Sequence, residues 1–328
     1  MVRIAVLDDY AENAKDLADW DSIPDAEIVY FKEHIKEPKA LSRMLQGFDI
    51  VQMMRERTPF PAEVLAALPD LKILGGTGAR QPHVDMETAN RLGITVTGTK
   101  GLSGTGGGGP TMELAWGLII GLMRHIPWED RHIREGKWQT RIGTSLGGKT
   151  LGIQGLGNIG THMARMGNEF GMNVIAWGPT LDAERAAKNG ATYVTWDGLF
   201  QQSDVLSIHV PLTDLSRGWV GAREIGMMRQ NAYLINTSRG PIVNRDALLN
   251  ALRAHKIAGA GLDVYDEEPI NPTNPFLALD NVILTPHLGY ASIESIRNFY
   301  EGAVANINAW LGGVATNVLN EPVSPRTL

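Results

Sequence analysis

Three residues of this chain have the types and placement to do chemistry together: Arg239 in NTSRGPIVN (236–244), Glu268 in DVYDEEP (263–269) and His287 in TPHLG (285–289). A guanidinium grips a carboxylate with two parallel hydrogen bonds and polarises a carbonyl beside it. An imidazole exchanges protons near neutral pH. A carboxylate next to that imidazole favours its charged form. The set suits hydride reduction of a carbonyl adjacent to a carboxylate, in which the oxygen takes a proton as the hydride arrives. Singly, each residue also fits a plainer role. Arg239 before Gly-Pro reads as a turn residue, His287 as a hydrogen-bonded loop histidine, and DEEP as a solvated acidic run. All three follow short apolar runs, and strand ends of that kind are where open α/β sheets bind ligands, so the plain readings explain them poorly together.

The hydride carrier has its own signature. GLGNIG fits G-x-G-x-x-G at Gly155, Gly157 and Gly160. The first glycine permits a tight turn, the second lets backbone approach a pyrophosphate, and the third allows close helix–strand contact. With 37 glycines in the chain a chance match is easy, but an apolar run precedes this one and an amphipathic stretch follows it. A helix starting there points its free N–H groups at the phosphates. The acid expected after the next strand, on the ribose of NAD, is absent: NVIAW leads into Gly178, Pro179 and Thr180. Asp182 fits a helix cap better. No cation stands close to position 179 and the first arginine is Arg185, so NAD is favoured, with NADP not excluded.

The elements that must hold these residues read as two α/β units. Apolar or β-branched runs at 3–8, 27–31, 49–54, 72–76 and 94–98 alternate with helix-like stretches, including 11–20. Such alternation predicts a parallel sheet with helical crossovers. A glycine cluster (101–110) precedes an apolar helix over 111–126. A second series of strands begins at 150 and ends at 286, followed by a long helix over 292–313. The predicted architecture is a Rossmann-type parallel-sheet cofactor domain (104–287) inserted into a discontinuous flavodoxin-like α/β substrate domain (1–103 and 288–328), with a cleft between them.

Composition narrows the class further. The 328 residues are 43 % hydrophobic, carry a formal charge of −6 and include no cysteine. That leaves no basic stripe for nucleic acid, no disulfide, no thiolate metal site and no cysteine nucleophile. His34, His83, His125, His132, His162 and His255 form no metal-ligand spacing, so no metal is expected. Ser103 and Ser145 lack a GxSxG elbow. The start MVRIAVLDDY lacks the pattern of a signal peptide, and LAWGLIIGLM is too short to span a bilayer; the expected location is the cytosol.

GLGNIG, HVPLT, NTSRGPIVN, DVYDEEP and TPHLG together resemble the D-isomer-specific 2-hydroxyacid dehydrogenase family, in its order and over most of the chain. The resemblance implies the split outer domain, a homodimer built around the cofactor domain and its long helix, and Arg239, Glu268 and His287 as the catalytic set. It places Asp263 near the nicotinamide carboxamide, with the Thr237 backbone beside it. In the outer domain RERT (55–58) is similar to the family's cleft segment, with Arg55 facing substrate. GTGARQPHVD (76–85) is similar to the loop whose N–H groups hold the substrate carboxylate, here from Ala79 and Arg80. The family often has glycine where Arg80 stands, and an Asn-containing segment where this chain has Gly107–Gly109. The expected cofactor contacts are Gly155, Gly157, Asn158, Ile159, Gly160, Trp177, Gly178, Pro179, His209, Val210, Pro211, Thr237, Ser238, Asp263 and Gly289.

The expected activity is therefore an NAD(P)-dependent interconversion of a 2-keto and a 2-hydroxy acid. Formate dehydrogenases resemble a version with Gln for the glutamate, so Glu268 argues for a hydroxy acid. D-3-phosphoglycerate is the alternative substrate, with Arg55, Arg57 and Arg80 as the extra cations; many of those enzymes carry a further regulatory domain, for which this length leaves no space. An NAD(H)-sensing protein of the corepressor kind is the alternative of a different class.

Overall fold

The computed structural model describes residues 1–101 and 109–326 and divides into two compact units, Met1–Ser103 with Ser292–Leu328, and Gly104–Ala291. The second crossing falls a few residues beyond the expected 287/288. The expected first crossing lies in residues 102–108, outside the described residues.

In the first unit, β1 (Val2–Val6), β2 (Ala26–Tyr30), α1 (Pro38–Met44), β3 (Ile50–Gln52), α2 (Ala62–Ala66), β4 (Ile73–Gly75), α3 (Met86–Arg91) and β5 (Thr95–Thr97) follow one another. The strands pair in parallel in the order β2-β1-β3-β4-β5. Strands β1, β3, β4 and β5 are buried almost throughout, with both faces covered, which is why they read as unbroken apolar runs rather than alternating ones.

The stretch 11–20, expected to be helical, forms only two 3₁₀ turns, Ala14–Asp16 and Trp20–Ser22. Two side chains pull the backbone out of a regular helix. The Asp9 carboxylate accepts from the Asn13 and Ala14 N–H groups, and the buried Trp20 indole donates to the Ala14 carbonyl at 2.8 Å.

The second unit runs through α4 (Gly109–Met123), α5 (Ile126–Arg134), β6 (Thr150–Gln154), α6 (Asn158–Glu169), β7 (Asn173–Trp177), α7 (Ala183–Lys188), β8 (Thr192–Tyr193), α8 (Trp196–Gln202), β9 (Val205–Ile208), α9 (Ala222–Met227), β10 (Tyr233–Asn236), α10 (Arg245–Arg253), β11 (Gly259–Leu262) and β12 (Val282–Leu284). Its seven strands are all parallel, in the order β12-β11-β10-β9-β6-β7-β8. Alternate residues feed two cores: Leu206, Ile208, Leu234 and Leu262 on one face, Leu151, Ile153, Val205 and Ile235 on the other. Each such side chain contributes about 1.5–3 kcal/mol by leaving water.

The apolar helix expected over 111–126 stops at Met123. His125 adopts a left-handed φ of 55°, and Pro127 starts α5 afresh. Strand β6 pairs with β9 on one side and β7 on the other, so the direction in which successive strands are added to the sheet reverses at β6, the place where sheets of this type open a crevice.

The closing helix α11 (Ile293–Leu311) belongs to the first unit. It buries Phe299, Tyr300, Ala303, Val304 and Ile307, one stripe at helical spacing. Asn306 fastens it by donating Nδ2 to the Gly98 carbonyl at 2.8 Å.

Candidate active site

The glycine turn after β6 is shaped by close approach. Gly155 has φ +98°, and a Cβ there would lie 2.7 Å from Val210 Cγ1 and 2.8 Å from the His209 carbonyl oxygen. A Cβ on Gly160 would lie 2.1 Å from the Gly155 carbonyl oxygen, so α6 can seat against the turn only through glycine. At Gly157 a Cβ would meet nothing within 4 Å. Packing leaves that side open, and Gly157 caps α6 without a side chain, so the first turn of the helix receives no side-chain cap. These features fit a dinucleotide pyrophosphate. Two buried polar groups near the same strand ends have no hydrogen-bond partner among the described residues: the Thr237 hydroxyl and the Gln154 side-chain amide. Gln154 carries no motif, and sequence reasoning missed it.

From this turn a chain of contacts runs along the strand ends to His287. Ser238 Oγ donates to the Val210 carbonyl. Asn236 Oδ1 accepts from the Ser238 N–H at 3.1 Å, and its Nδ2 donates to the Arg239 carbonyl at 3.0 Å. Arg239 Nη1 donates to the Ser238 carbonyl at 2.7 Å. The next residue, Gly240, has no space for a Cβ, which would lie 2.2 Å from the Tyr265 carbonyl carbon. The loop of Arg239 thus rests on the loop that carries Glu268.

Glu268 uses both oxygens. Oε1 accepts from the Tyr265 N–H at 2.8 Å, and Oε2 lies 2.6 Å from His287 Nδ1. The Tyr265 hydroxyl donates to the Leu262 and Thr285 carbonyls at 3.2 and 2.9 Å, tying the ends of β11 and β12 together. Burial and the negative charges of Asp263 and Glu268 push its phenol well above the usual range, so it stays a donor.

Asp263 organises the His287 loop. Its carbonyl accepts the His287 N–H at 2.9 Å. Its carboxylate accepts from Thr285 Oγ1 at 2.6 Å, from the Leu288 N–H at 2.7 Å and from the Gly289 N–H at 2.8 Å. Burial raises the Asp263 carboxyl above its ordinary value; those three hydrogen bonds and the His287 charge oppose the rise. Gly289 is held again by Thr111 Oγ1, which donates to its carbonyl at 2.7 Å. The roles of Tyr265, Thr285 and Thr111 do not stand out in the sequence, because each braces the protein itself, through main-chain carbonyls or the Asp263 carboxylate, rather than a ligand.

His209, partly buried where β9 ends, has its pKa lowered to about 4 by desolvation, and its Nε2 lies 2.8 Å from Ser207 Oγ. Trp177, at the end of β7, stacks edge-on against Trp196 and Trp219, with ring centroids 4.5 and 5.6 Å away. Gly178 and Pro179 continue directly from it. Val210 is buried in the same core as these rings, and Pro211 follows it at the surface.

Arg55, Ala79 and Arg80 lie in the first unit, at the ends of β3 and β4. Arg55 has a left-handed φ of 53° and donates its N–H to Thr77 Oγ1 at 2.6 Å. A Cβ on Gly78 would lie 2.6 Å from Arg55 Nη1, so glycine there admits the guanidinium against the loop. Gln81 Nε2 donates to the Thr77 and Gly78 carbonyls, while the N–H groups of Ala79 and Arg80 have no partner among the described residues. Two N–H groups without an internal acceptor, in the same unit as a guanidinium, have the donor chemistry that an anion requires. Arg57 is held differently: Nη1 donates to the Asp8 carbonyl at 2.6 Å, and the guanidinium covers the Tyr10 ring.

No group of three or more His, Asp or Glu among the described residues is placed to hold a metal, and no helix among them is long and apolar enough to cross a membrane.

Residues 116–289 match the family model for the NAD-binding domain of D-isomer-specific 2-hydroxyacid dehydrogenases. The chain is 38 % identical to a glyoxylate reductase of Aeropyrum pernix over 293 residues, 86 % of each chain. It is 32 % identical to a hydroxypyruvate reductase of Blautia hydrogenotrophica, over 98 % of this chain and all of the relative. Among solved structures, a phosphoglycerate oxidoreductase of Vibrio cholerae superposes with a TM-score of 0.90 at 33 % identity, over 96 % of this chain and 100 % of the other.

Proposed function

The chain belongs to the D-isomer-specific 2-hydroxyacid dehydrogenase family and is an NAD-dependent oxidoreductase acting on a CH–OH donor; from that premise we propose that Arg239, Glu268 and His287 are its catalytic set and that its substrate is a small 2-keto acid such as glyoxylate or hydroxypyruvate. The observation that carries the assignment is the 2.6 Å contact between Glu268 Oε2 and His287 Nδ1, on loops from adjacent strands.

NAD supplies the hydride acceptor or donor. Gly155, Gly157, Asn158, Ile159 and Gly160 would hold its pyrophosphate, Trp177, Gly178 and Pro179 its adenosine ribose, and His209, Val210 and Pro211 its adenine side. Thr237, Ser238, Asp263 and Gly289 would line the nicotinamide end. With Nδ1 donating to Glu268, His287 keeps Nε2 for the substrate. In the reductive direction Nε2 gives its proton to the carbonyl oxygen; in the oxidative direction it takes the proton from the hydroxyl. Arg239 grips the carboxylate and polarises the carbonyl. The N–H groups of Ala79 and Arg80, with Arg55, supply further anion contacts.

Phosphoglycerate, named by the Vibrio cholerae relative, is the second reading, and Arg55 and Arg80 at the anion loop favour it. The working form we propose is a cytosolic homodimer. Trp138 and Ile142, 77 % and 93 % exposed after α5, are its contact candidates.

Incubation with NADH and glyoxylate, hydroxypyruvate, pyruvate, phenylpyruvate or 3-phosphohydroxypyruvate tests the assignment. NADH oxidation with one of the first two, lost in His287→Asn while NADH still binds, is the expected result. No oxidation with any of the five, despite NADH binding, overturns it.

A further inference from the structure

We propose that the cavity between α10 and the loop after β11 binds a free L-α-amino acid with an aliphatic side chain, its carboxylate on Arg245 and its ammonium group on Asp266, and that the occupant acts on turnover. Arg239, Glu268 and His287 do not line this cavity. Binding there is independent of their proposed roles; the effect on turnover rests on them.

The cavity measures about 230 Å³, far above the about 10–15 Å³ that admits a single water. Its floor is apolar: Val243, Leu248, Val264 and Phe276 line it, each at most 5 % exposed. Its wall is a braced loop. Asn271 Oδ1 accepts from the Thr273 N–H and hydroxyl at 2.9 and 2.7 Å, and Asn274 Oδ1 accepts from the Phe276 N–H at 3.0 Å. An apolar floor with a few charged groups around it is the usual make-up of a small-molecule site.

The charges that line the cavity are Arg245, Asp266 and Glu267. Among the described residues the Arg245 guanidinium makes no hydrogen bond, and its one carboxylate contact is Nε to Asp246 Oδ1 at 4.0 Å. The Asp266 carboxylate has neither a hydrogen bond nor an ion pair among them. Partial burial raises the Asp266 carboxyl above its ordinary value, Asp246 adds to the rise, and the charges of Arg245 and Arg217 oppose it. Arg245 and Asp266 thus feel each other without touching. A partly desolvated charge without a contact partner is unfavourable, and one molecule carrying both signs on a single carbon relieves the two together. A lone anion would meet the carboxylates of Asp266 and Glu267, and a lone cation would meet Arg245. A zwitterion with an apolar side chain suits both the charges and the floor.

Asn236, Gly240 and Tyr265 also line the cavity. Asn236 holds the Ser238 N–H and the Arg239 carbonyl, a Cβ on Gly240 would lie 2.2 Å from the Tyr265 carbonyl carbon, and Tyr265 gives its N–H to Glu268. An occupant therefore bears on the loops of Arg239 and Glu268.

Calorimetric titration of the purified protein with L-leucine and L-valine tests the site without turnover. Saturable binding of at least one is expected. Binding should be about tenfold weaker or more for 4-methylpentanoate, which lacks the ammonium group of leucine, and for 3-methylbutylamine, which lacks its carboxylate. Arg245→Ala and Asp266→Asn should each weaken the amino acid by about tenfold or more, with the Kd for NADH within about twofold. Arg239→Ala should keep the amino acid within about threefold, which separates the cavity from the substrate site. The analogue series uses the unaltered protein and stays decisive if a variant fails to fold. At saturation the amino acid should change kcat/KM for keto-acid reduction by about twofold or more. No saturable binding up to about 10 mM, analogues that bind as well as leucine, or loss of binding in Arg239→Ala overturns the site. Binding with unchanged kinetics overturns its action on turnover. Full activity of His287→Asn would overturn the catalytic assignment instead and leave the titration result standing.

Discussion

Asp263 and His287 are joined through main chain. The Asp263 carbonyl accepts the His287 N–H at 2.9 Å, and its carboxylate takes the N–H groups of the next two residues. His287 itself has a left-handed φ of 54°, a conformation that a non-glycine residue holds only when its surroundings enforce it. Asp263 is the enforcing group. Asp263→Ala would leave the Leu288 and Gly289 N–H groups and the Thr285 hydroxyl without their acceptor. Each such loss costs about 1–3 kcal/mol when the donor stays buried. Both Tm and kcat should fall, and Asp263→Asn should recover part of the Tm. A variant with full kcat would show that the loop does not need this anchor.

Glu268→Gln keeps the shape of the side chain and an acceptor for the Tyr265 N–H, but removes the charge opposite Nδ1. A carboxylate favours the imidazolium, and an amide does not. Reduction requires the protonated imidazole, so its alkaline limb should move to lower pH, with Glu268→Asp less affected than Glu268→Gln. The pH profile of kcat/KM for keto-acid reduction reads this, and coincident wild-type and Gln profiles would remove Glu268 from the proton chemistry.

Arg239→Ala should separate substrate from cofactor. Loss of a two-pronged carboxylate contact that also polarises the carbonyl should cut kcat/KM by about a hundredfold or more, with the Kd for NADH changing by about threefold or less. Arg239→Lys should recover little, because an ammonium cannot reproduce the planar fork. Equal losses in turnover and NADH affinity would place the arginine on the cofactor.

What the sequence made legible was whatever depends on period and on glycine. The parallel strands announced themselves as apolar runs because helices cover both faces, and the turn at Gly155–Gly160 because only glycine survives contacts of 2.1–2.8 Å. Two kinds of feature stayed hidden. The structural work of Tyr265, Thr285 and Thr111 is one: the first two lie inside the motifs DVYDEEP and TPHLG and Thr111 in none, but their partners are carbonyls and a carboxylate up to 178 residues away, which no motif spells out. Departures from regular helix were hidden as well. Trp20 unwinds 11–20 through its indole contact with the Ala14 carbonyl, and His125 breaks the apolar helix in a conformation that composition does not signal.

Exposed apolar residues after α5 predict association. Leaving Trp138 and Ile142 in water is unfavourable, and a partner surface would recover about 25 cal/mol for each Å² of apolar area it covers. Sedimentation should give twice the chain mass for the wild type, and the chain mass for Trp138→Glu with Ile142→Glu. A wild-type monomer at micromolar concentration would refute the dimer.

His209 predicts an acid-sensitive contribution to stability. Its folded pKa of about 4 lies below the unfolded value of about 6.5, so the unfolded chain binds the proton first. At pH 7 the folded imidazole is neutral and the unfolded one mostly so, and the residue adds little dependence. As pH falls from about 6.5 towards 4, the unfolded state gains a proton that the folded state refuses, and stability drops by at most about 3 kcal/mol. His209→Gln retains a partner for Ser207 Oγ but does not titrate. The Tm advantage of wild type over this variant should therefore be largest at neutral pH and shrink steadily towards pH 4.5. A gap that stays constant across that range would mean that His209 takes its proton in the folded state as readily as in the unfolded chain.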